Sequence, residues 1–136
     1  MDQDLSYQKL TILTIDDEFS IQKILTHFFK GKHEIVTCDN GQEALAWLYD
    51  GNLPDFIIAD INMPVLDGFE FIKQVRQSGF FNTIPIIMLS GIDKSDTKIK
   101  CLEAGADDFM VKPFNPRELE ARINSIMRRV YLNKTI

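Results

Sequence analysis

Five short apolar runs alternate along this chain with five stretches of helical spacing. The first run, Lys9–Ile15 (KLTILTI), is rich in β-branched residues and ends in Asp16-Asp17-Glu18. It reads as a buried strand. Ile21, Ile24, Leu25, Phe28 and Phe29 then recur at helical spacing, with Gly31 as the stop. Glu34–Thr37 is a second strand, and Asp39 or Asn40 caps a helix whose apolar face is Ala44, Leu45 and Leu48, ending near Gly51. Asp55–Asp60 is the third strand. Asp67 caps a third helix with Phe69, Ile72 and Val75 inward. Ile84–Leu89 is the fourth strand, closed by Ser90-Gly91. The helix after it, about Lys94–Ala104, has only Ile99 and Leu102 to mark its face before Gly105 ends it. Asp107–Val111 is the fifth strand. The last helix is the best signalled, with Asn115 as N-cap, Pro116 in the first turn and Glu118 placed for a capping box. Its stripe is Leu119, Ile123, Ile126, Met127 and Val130.

Strict strand–helix alternation with short links implies an α/β fold: a doubly wound, five-stranded parallel sheet with helices on both faces. For five strands the flavodoxin-like order 2-1-3-4-5 is the leading topology. The length suits one domain over residues 1–136, with its core at about 10–130. In such a sheet every strand's carboxyl end reaches the same edge. That edge would collect Asp16 and Asp17 after the first strand, Asp60 after the third, Ser90 after the fourth and Lys112 after the fifth.

Composition narrows the function classes. The chain is 45% hydrophobic and 26% charged, the profile of an ordinary globular protein, and its net charge of −5 argues against direct nucleic-acid binding. The polar amino terminus has no secretory signal, and no apolar run approaches the ~20 residues of a membrane span. Cys38 and Cys101 are too few for a disulfide framework or a zinc site. Together these features place the protein in the cytoplasm with two reduced, packed thiols.

The chemistry lies at the shared edge. Two like charges ~4 Å apart repel by about 4 kcal/mol at an effective dielectric near 20. Asp16, Asp17 and Asp60 together therefore need protons or a cation. Mg²⁺, with Mn²⁺ as a substitute, suits one or two carboxylates plus waters and phosphate oxygens. Lys112 adds a mobile positive charge, Ser90 a hydroxyl donor, and Gly91 leaves room beside it. Such a set suits a tetrahedral dianion, and a carboxylate within it can attack phosphorus to give an aspartyl phosphate. Asp60, alone on the central strand between the acids and Lys112, is the candidate nucleophile.

From about Leu10 to Val130 the chain resembles the response-regulator receiver domains of two-component signalling, of which the chemotaxis response regulator is one. The motifs are IDDE at 15–18, IADINMPVLDG at 58–68, IMLSG at 87–91 and AGADDFMVKPF at 104–114. The resemblance implies that Asp60 is the phosphoacceptor. Asp16, Asp17, Asp60 and the backbone carbonyl of Asn62 would hold the Mg²⁺. Ser90 would be the switch hydroxyl, Lys112 the phosphate-pairing lysine and Phe109 the switch aromatic, with a cis Lys112–Pro113 peptide. The donor would be a phosphohistidine on a histidine kinase or a histidine phosphotransfer protein. Ser90 and Lys112 would then move inward, and the strand 4–helix 5 face would repack for a downstream protein or an output domain. The chain would be no enzyme beyond its own phosphorylation and dephosphorylation. A Phe at position 109 lacks the hydroxyl of Tyr, which favours the inward ring even without phosphate. Asn62 and Ile92 occupy the positions that tune phosphoryl lifetime, and Ile92 shields the phosphorus. A homodimer through helix 4, strand 5 and helix 5 fits the same resemblance.

Three other readings compete. A haloacid-dehalogenase-like phosphatase needs an acid two residues after its nucleophile, where this chain has Asn62. A degenerate receiver used only for binding conflicts with the full set of site residues. An FMN carrier of the same topology would meet an acidic first loop that repels phosphate. Elsewhere ordinary roles suffice: Asp67 as a cap, His27 and His33 as structural or solvent-facing residues, and Arg128, Arg129 and Lys134 as complements to the last helix dipole. Phe80-Phe81 either pack over the sheet edge or lie exposed. Phe19 and Phe114–Pro116 flank the pocket mouth, where they would dock the phosphodonor, unless Phe19 packs against the first helix.

Overall fold

A computed structural model describes residues 9–135, with side chains described through residue 131. Five strands and five helices alternate: β1 (Thr11–Ile15), α1 (Phe19–Phe29), β2 (Glu34–Cys38), α2 (Gly41–Tyr49), β3 (Phe56–Asp60), α3 (Gly68–Gln77), β4 (Ile86–Ser90), α4 (Ser95–Ala104), β5 (Asp108–Val111) and α5 (Pro116–Thr135). The strands form one sheet in the order β2-β1-β3-β4-β5, and all pairs are parallel. β3 and β4 are buried on both faces, as a sheet covered by helices requires.

The sheet separates two apolar clusters. On one face Leu25 and Phe29 of α1 meet Leu119, Ile123 and Ile126 of α5 over Ile12, Ile58, Ile87 and Leu89. On the other, α2, α3 and α4 contribute Leu45, Leu48, Phe71, Ile72, Val75 and Cys101 over Leu13, Ile57, Ala59 and Met88. Asn40, not Asp39, caps α2 by accepting the Glu43 N–H at 2.9 Å, and Asp67 caps α3 by accepting the Glu70 N–H at 2.9 Å. Asn115 caps α5 through the Arg117 N–H (2.9 Å), but Glu118 turns to Arg122 at 3.5 Å instead of closing a capping box.

Helix faces depart from the pattern in three places. In α4, Ile99 and Leu102 are 51% and 43% exposed, and Cys101 is the buried residue. The inner face is Thr97, Cys101 and Ala104 at helical spacing, small side chains that a hydrophobicity pattern undervalues. In α1, Ile24 is exposed while Leu25 and Phe29 are buried. In α3, Phe71 is fully buried and Phe69 half-buried, its ring facing the Lys100 ammonium at 4.2 Å.

Arg76 staples the end of α3 to its surroundings. Its guanidinium donates to the carbonyls of Gly105 (3.0 Å), Asn82 (3.1 Å) and Ile84 (2.7 Å) and pairs with Asp107 at 3.1 Å. His33 is buried, and its Nδ1 accepts the Leu10 N–H at 3.0 Å; burial lowers its pKa, so it serves as a neutral structural acceptor. His27 is exposed on α1. Both cysteines are buried free thiols, pushed up to about 11 by desolvation. The Phe80-Phe81 pair splits: Phe81 is buried, and Phe80 is 85% exposed. Arg128 and Arg129 are exposed on α5, and the Lys134 side chain lies outside those described. No helix among the described residues is long and apolar enough to cross a membrane.

Candidate functional site

Register brings the strand ends level. Ile15 pairs with Ala59, Asp60 with Leu89, and Ser90 with Val111. The residues just past β1 and β5 therefore meet the last residue of β3. Carboxylate oxygens of Asp16, Asp17 and Asp60 all lie within 4.8 Å of one another. Lys112 reaches across from the end of β5, its Nζ 2.8 Å from Asp16 Oδ2, 3.2 Å from Asp60 Oδ2 and 3.3 Å from Glu18 Oε1. The Lys112–Pro113 peptide is cis.

The electrostatics follow from burial and charge imbalance. The side chains of Asp16 and Asp60 are almost fully buried, and that of Lys112 is 11% exposed, while Asp17 faces solvent. Desolvation raises the carboxyl pKa of both buried acids despite the Lys112 ammonium beside them; for Asp60, the Asp16 charge adds to the rise. Burial works against the Lys112 ammonium too, but its hydrogen bond to Asp16 and the charge of Asp60 outweigh that and hold its pKa above the ordinary lysine value. One ammonium thus serves more carboxylates than it can neutralise. Three oxygen-donor acids around one point fit a hard divalent cation of the Mg²⁺ type.

The loop after Asp60 is tightly built. The Asn62 backbone next to the Asp60 carboxylate favours its charged form, a small effect against that of burial. Val65 has φ 72, and the Leu66 N–H donates to the Pro64 carbonyl at 2.8 Å, a γ-turn that brings the chain back to start α3. Gly68 then packs directly on the strand end, its N–H donating to the Ile61 carbonyl at 2.8 Å. A Cβ there would meet the Asp60 carbonyl oxygen at 2.5 Å and Ile61 Cα at 2.8 Å, so close approach alone requires glycine.

Ser90 is fully buried, and its Oγ accepts the Ile92 N–H at 2.9 Å. Ile92 itself is 41% exposed. Phe109 is only 6% exposed, packed in the cluster that holds Met88, Cys101 and Ala106. Phe19, the first residue of α1, is 69% exposed with the Lys23 ammonium 5.2 Å from its ring centre, whereas Phe114 is half-buried against the α1–α5 cluster. The strand ends thus bring together Asp16, Asp17, Asp60 and Lys112. Sequence reasoning missed Glu18 and Gly68. The signal for each was present, as a third acid following the pair and as a glycine at the first helical position.

An acidic, lysine-bridged site at the carboxyl edge of a five-stranded doubly wound sheet in the order 2-1-3-4-5 places the chain among the flavodoxin-like α/β proteins. The sequence profile of the response regulator receiver domain matches residues 12–124, and the chain belongs to that family. It is 43% identical over 123 residues to "Probable transcriptional regulator ycf27" of Porphyra purpurea, covering 90% of this chain and 49% of the relative. It is 42% identical over 119 residues to the alkaline phosphatase synthesis transcriptional regulatory protein PhoP of Bacillus subtilis (strain 168), covering 87% and 48%. The chain thus spans about half the length of the curated relatives it matches. Among solved structures it is similar to the receiver domain of Francisella response regulator 1452 (TM-score 0.82, 32% identity, 90% of this chain and 99% of that one). The chemotaxis response regulator CheY4 of Vibrio cholerae is a further match (TM-score 0.77, 35% identity, 89% and 98%).

Proposed function

We propose that this receiver accepts a phosphoryl group on Asp60 from a histidine kinase or a histidine phosphotransfer protein in the cytoplasm. It then passes the signal on through its β4–α5 face. The observation that carries this reading is the Lys112 ammonium, within 3.2 Å of both Asp16 and Asp60 and beside a cluster of three carboxylates. Asp16, Asp17, Asp60 and the Asn62 carbonyl would hold a divalent cation, which when bound supplies positive charge to the phosphoryl oxygens. Asp60 Oδ acts as nucleophile and Lys112 neutralises the charge added to it. Ser90 would give up its backbone partner at Ile92 to meet the phosphoryl oxygens, and the Phe109 ring would fill the space it leaves. In this reading the chain catalyses only its own phosphorylation and dephosphorylation. The β4–α5 face, shared with α4, would serve a downstream protein, an output domain or a second copy.

The test is intact mass after incubation with acetyl phosphate and Mg²⁺. The parent is expected to gain one phosphoryl mass and Asp60→Asn none. Equal labelling of Asp60→Asn, or steady turnover of a phosphomonoester, would overturn the assignment.

A further inference from the structure

Of the three carboxylates around the Lys112 ammonium, only Asp16 and Asp60 belong to the cluster that can hold a cation. The third is Glu18, 3.3 Å from Nζ, with 54% of its side chain exposed. Its peptide N–H donates to Asp16 Oδ1 at 2.9 Å, so the residue is anchored to the site by its backbone while its charge stands toward solvent. Asp60, by contrast, has a side chain only 4% exposed. Glu18 and Asp60 contact the same Lys112 ammonium, so a molecule that reaches Asp60 lies within the field of the Glu18 charge.

We propose that Glu18 is a specificity-determining residue for the phosphodonor. Its charge disfavours dianionic donors relative to donors whose leaving nitrogen is positively charged. The inference rests on the reading of Asp60 as phosphoacceptor. In the transfer an Asp60 oxygen attacks phosphorus, the O–P bond forms as the donor bond breaks, and the bonding pair leaves with the donor atom. Acetyl phosphate arrives as a dianion and departs as acetate. Phosphoramidate arrives as a zwitterion with one net negative charge, and its protonated nitrogen departs as ammonia. The products at Asp60 are identical, so the two donors differ in the charge carried past Glu18.

The experiment measures initial rates of labelling by intact mass with both donors at saturating Mg²⁺, on the whole chain as parent, Glu18→Gln and Glu18→Asp. Glu18→Gln is expected to speed the reaction with acetyl phosphate about threefold more than that with phosphoramidate, the effect of one unit of donor charge across several ångströms of water-rich medium. The gap should close as ionic strength approaches ~1 M, where the Debye length is about 3 Å. Glu18→Asp keeps the charge and should keep the parent ratio. Calorimetric titration of unphosphorylated protein should show weaker Mg²⁺ binding in Glu18→Gln and not in Glu18→Asp, a readout independent of transfer. If Glu18→Gln does not fold, Glu18→Ala carries the same expectations. Equal acceleration with both donors, or an unchanged ratio, overturns the role of Glu18. A parent labelled by neither donor overturns the phosphoacceptor reading beneath it.

Discussion

Replacing Gly68 with alanine should damage the fold and the acidic site together. The added methyl would lie 2.5 Å from the Asp60 carbonyl oxygen, 2.7 Å from Met88 Cε and 2.8 Å from Ile61 Cα. The methionine methyl can swing aside, but the two backbone atoms cannot, because they belong to the central strand and its exit. Relief therefore requires the start of α3 to draw away, stretching the 2.8 Å hydrogen bond from Gly68 N–H to the Ile61 carbonyl. Overpacking of this kind costs about 1–3 kcal/mol and a weakened buried hydrogen bond about 1 kcal/mol. The better helix propensity of alanine returns at most about 1 kcal/mol. A net loss of about 2–3 kcal/mol is expected in urea unfolding followed by far-UV circular dichroism. The Mg²⁺-induced rise in Tm should shrink in the same variant, since the displaced backbone carries Asp60. A loss below roughly 0.5 kcal/mol with an unchanged metal response would refute the reasoning, because α3 would then move without disturbing the strand end.

Four further outcomes follow from the same geometry. Arg76→Met should lower stability by about 3 kcal/mol in urea unfolding, because it removes donors from the Gly105, Asn82 and Ile84 carbonyls and the partner of Asp107. Millimolar Mg²⁺ should raise the Tm of the parent by binding the native state, and Asp17→Asn should blunt that rise; no rise in the parent would contradict a cation site. In metal-free buffer Asp60→Asn should be more stable than the parent at pH 7. The raised pKa of Asp60 means its contribution is favourable below the ordinary carboxylate value and is lost as pH rises through the folded value. The gap should therefore narrow on acidification in chemical denaturation across that window. Ile92→Glu should shorten the phosphoryl half-life measured by decay of the intact-mass adduct, because an exposed apolar side chain beside Ser90 is replaced by one that can orient water.

The chain's alternation carried the topology, and the acids at strand ends carried the site, because both depend on residue type and spacing. What stayed hidden depends on contact. Ile99 and Leu102 mark a face by periodicity, but periodicity does not say which face turns inward. In α4 the inward one is built from Thr97, Cys101 and Ala104. Glu18 could be seen beside the acidic pair, yet its link to Lys112 spans 94 positions of sequence and exists only once β1 and β5 exits meet. The Arg76 staple is hidden for the same reason, since three of its four acceptors are backbone or loop carbonyls that no side-chain pattern announces.

The two apolar clusters give the molecule a sidedness that matters for how a signal could leave it. Adjacent residues of β5 point to opposite halves: Phe109 belongs with Cys101, Ala106 and Met88, and Met110 with Leu119, Ile123 and Ile126. The sheet between them acts as a bulkhead. A change in the volume occupied by the Phe109 ring would fall on the side where α4 packs through its one buried residue, Cys101, and not on the side beneath α5. Of the two helices bordering that face, α4 packs on the side that holds Phe109, and α5 on the side that holds Met110.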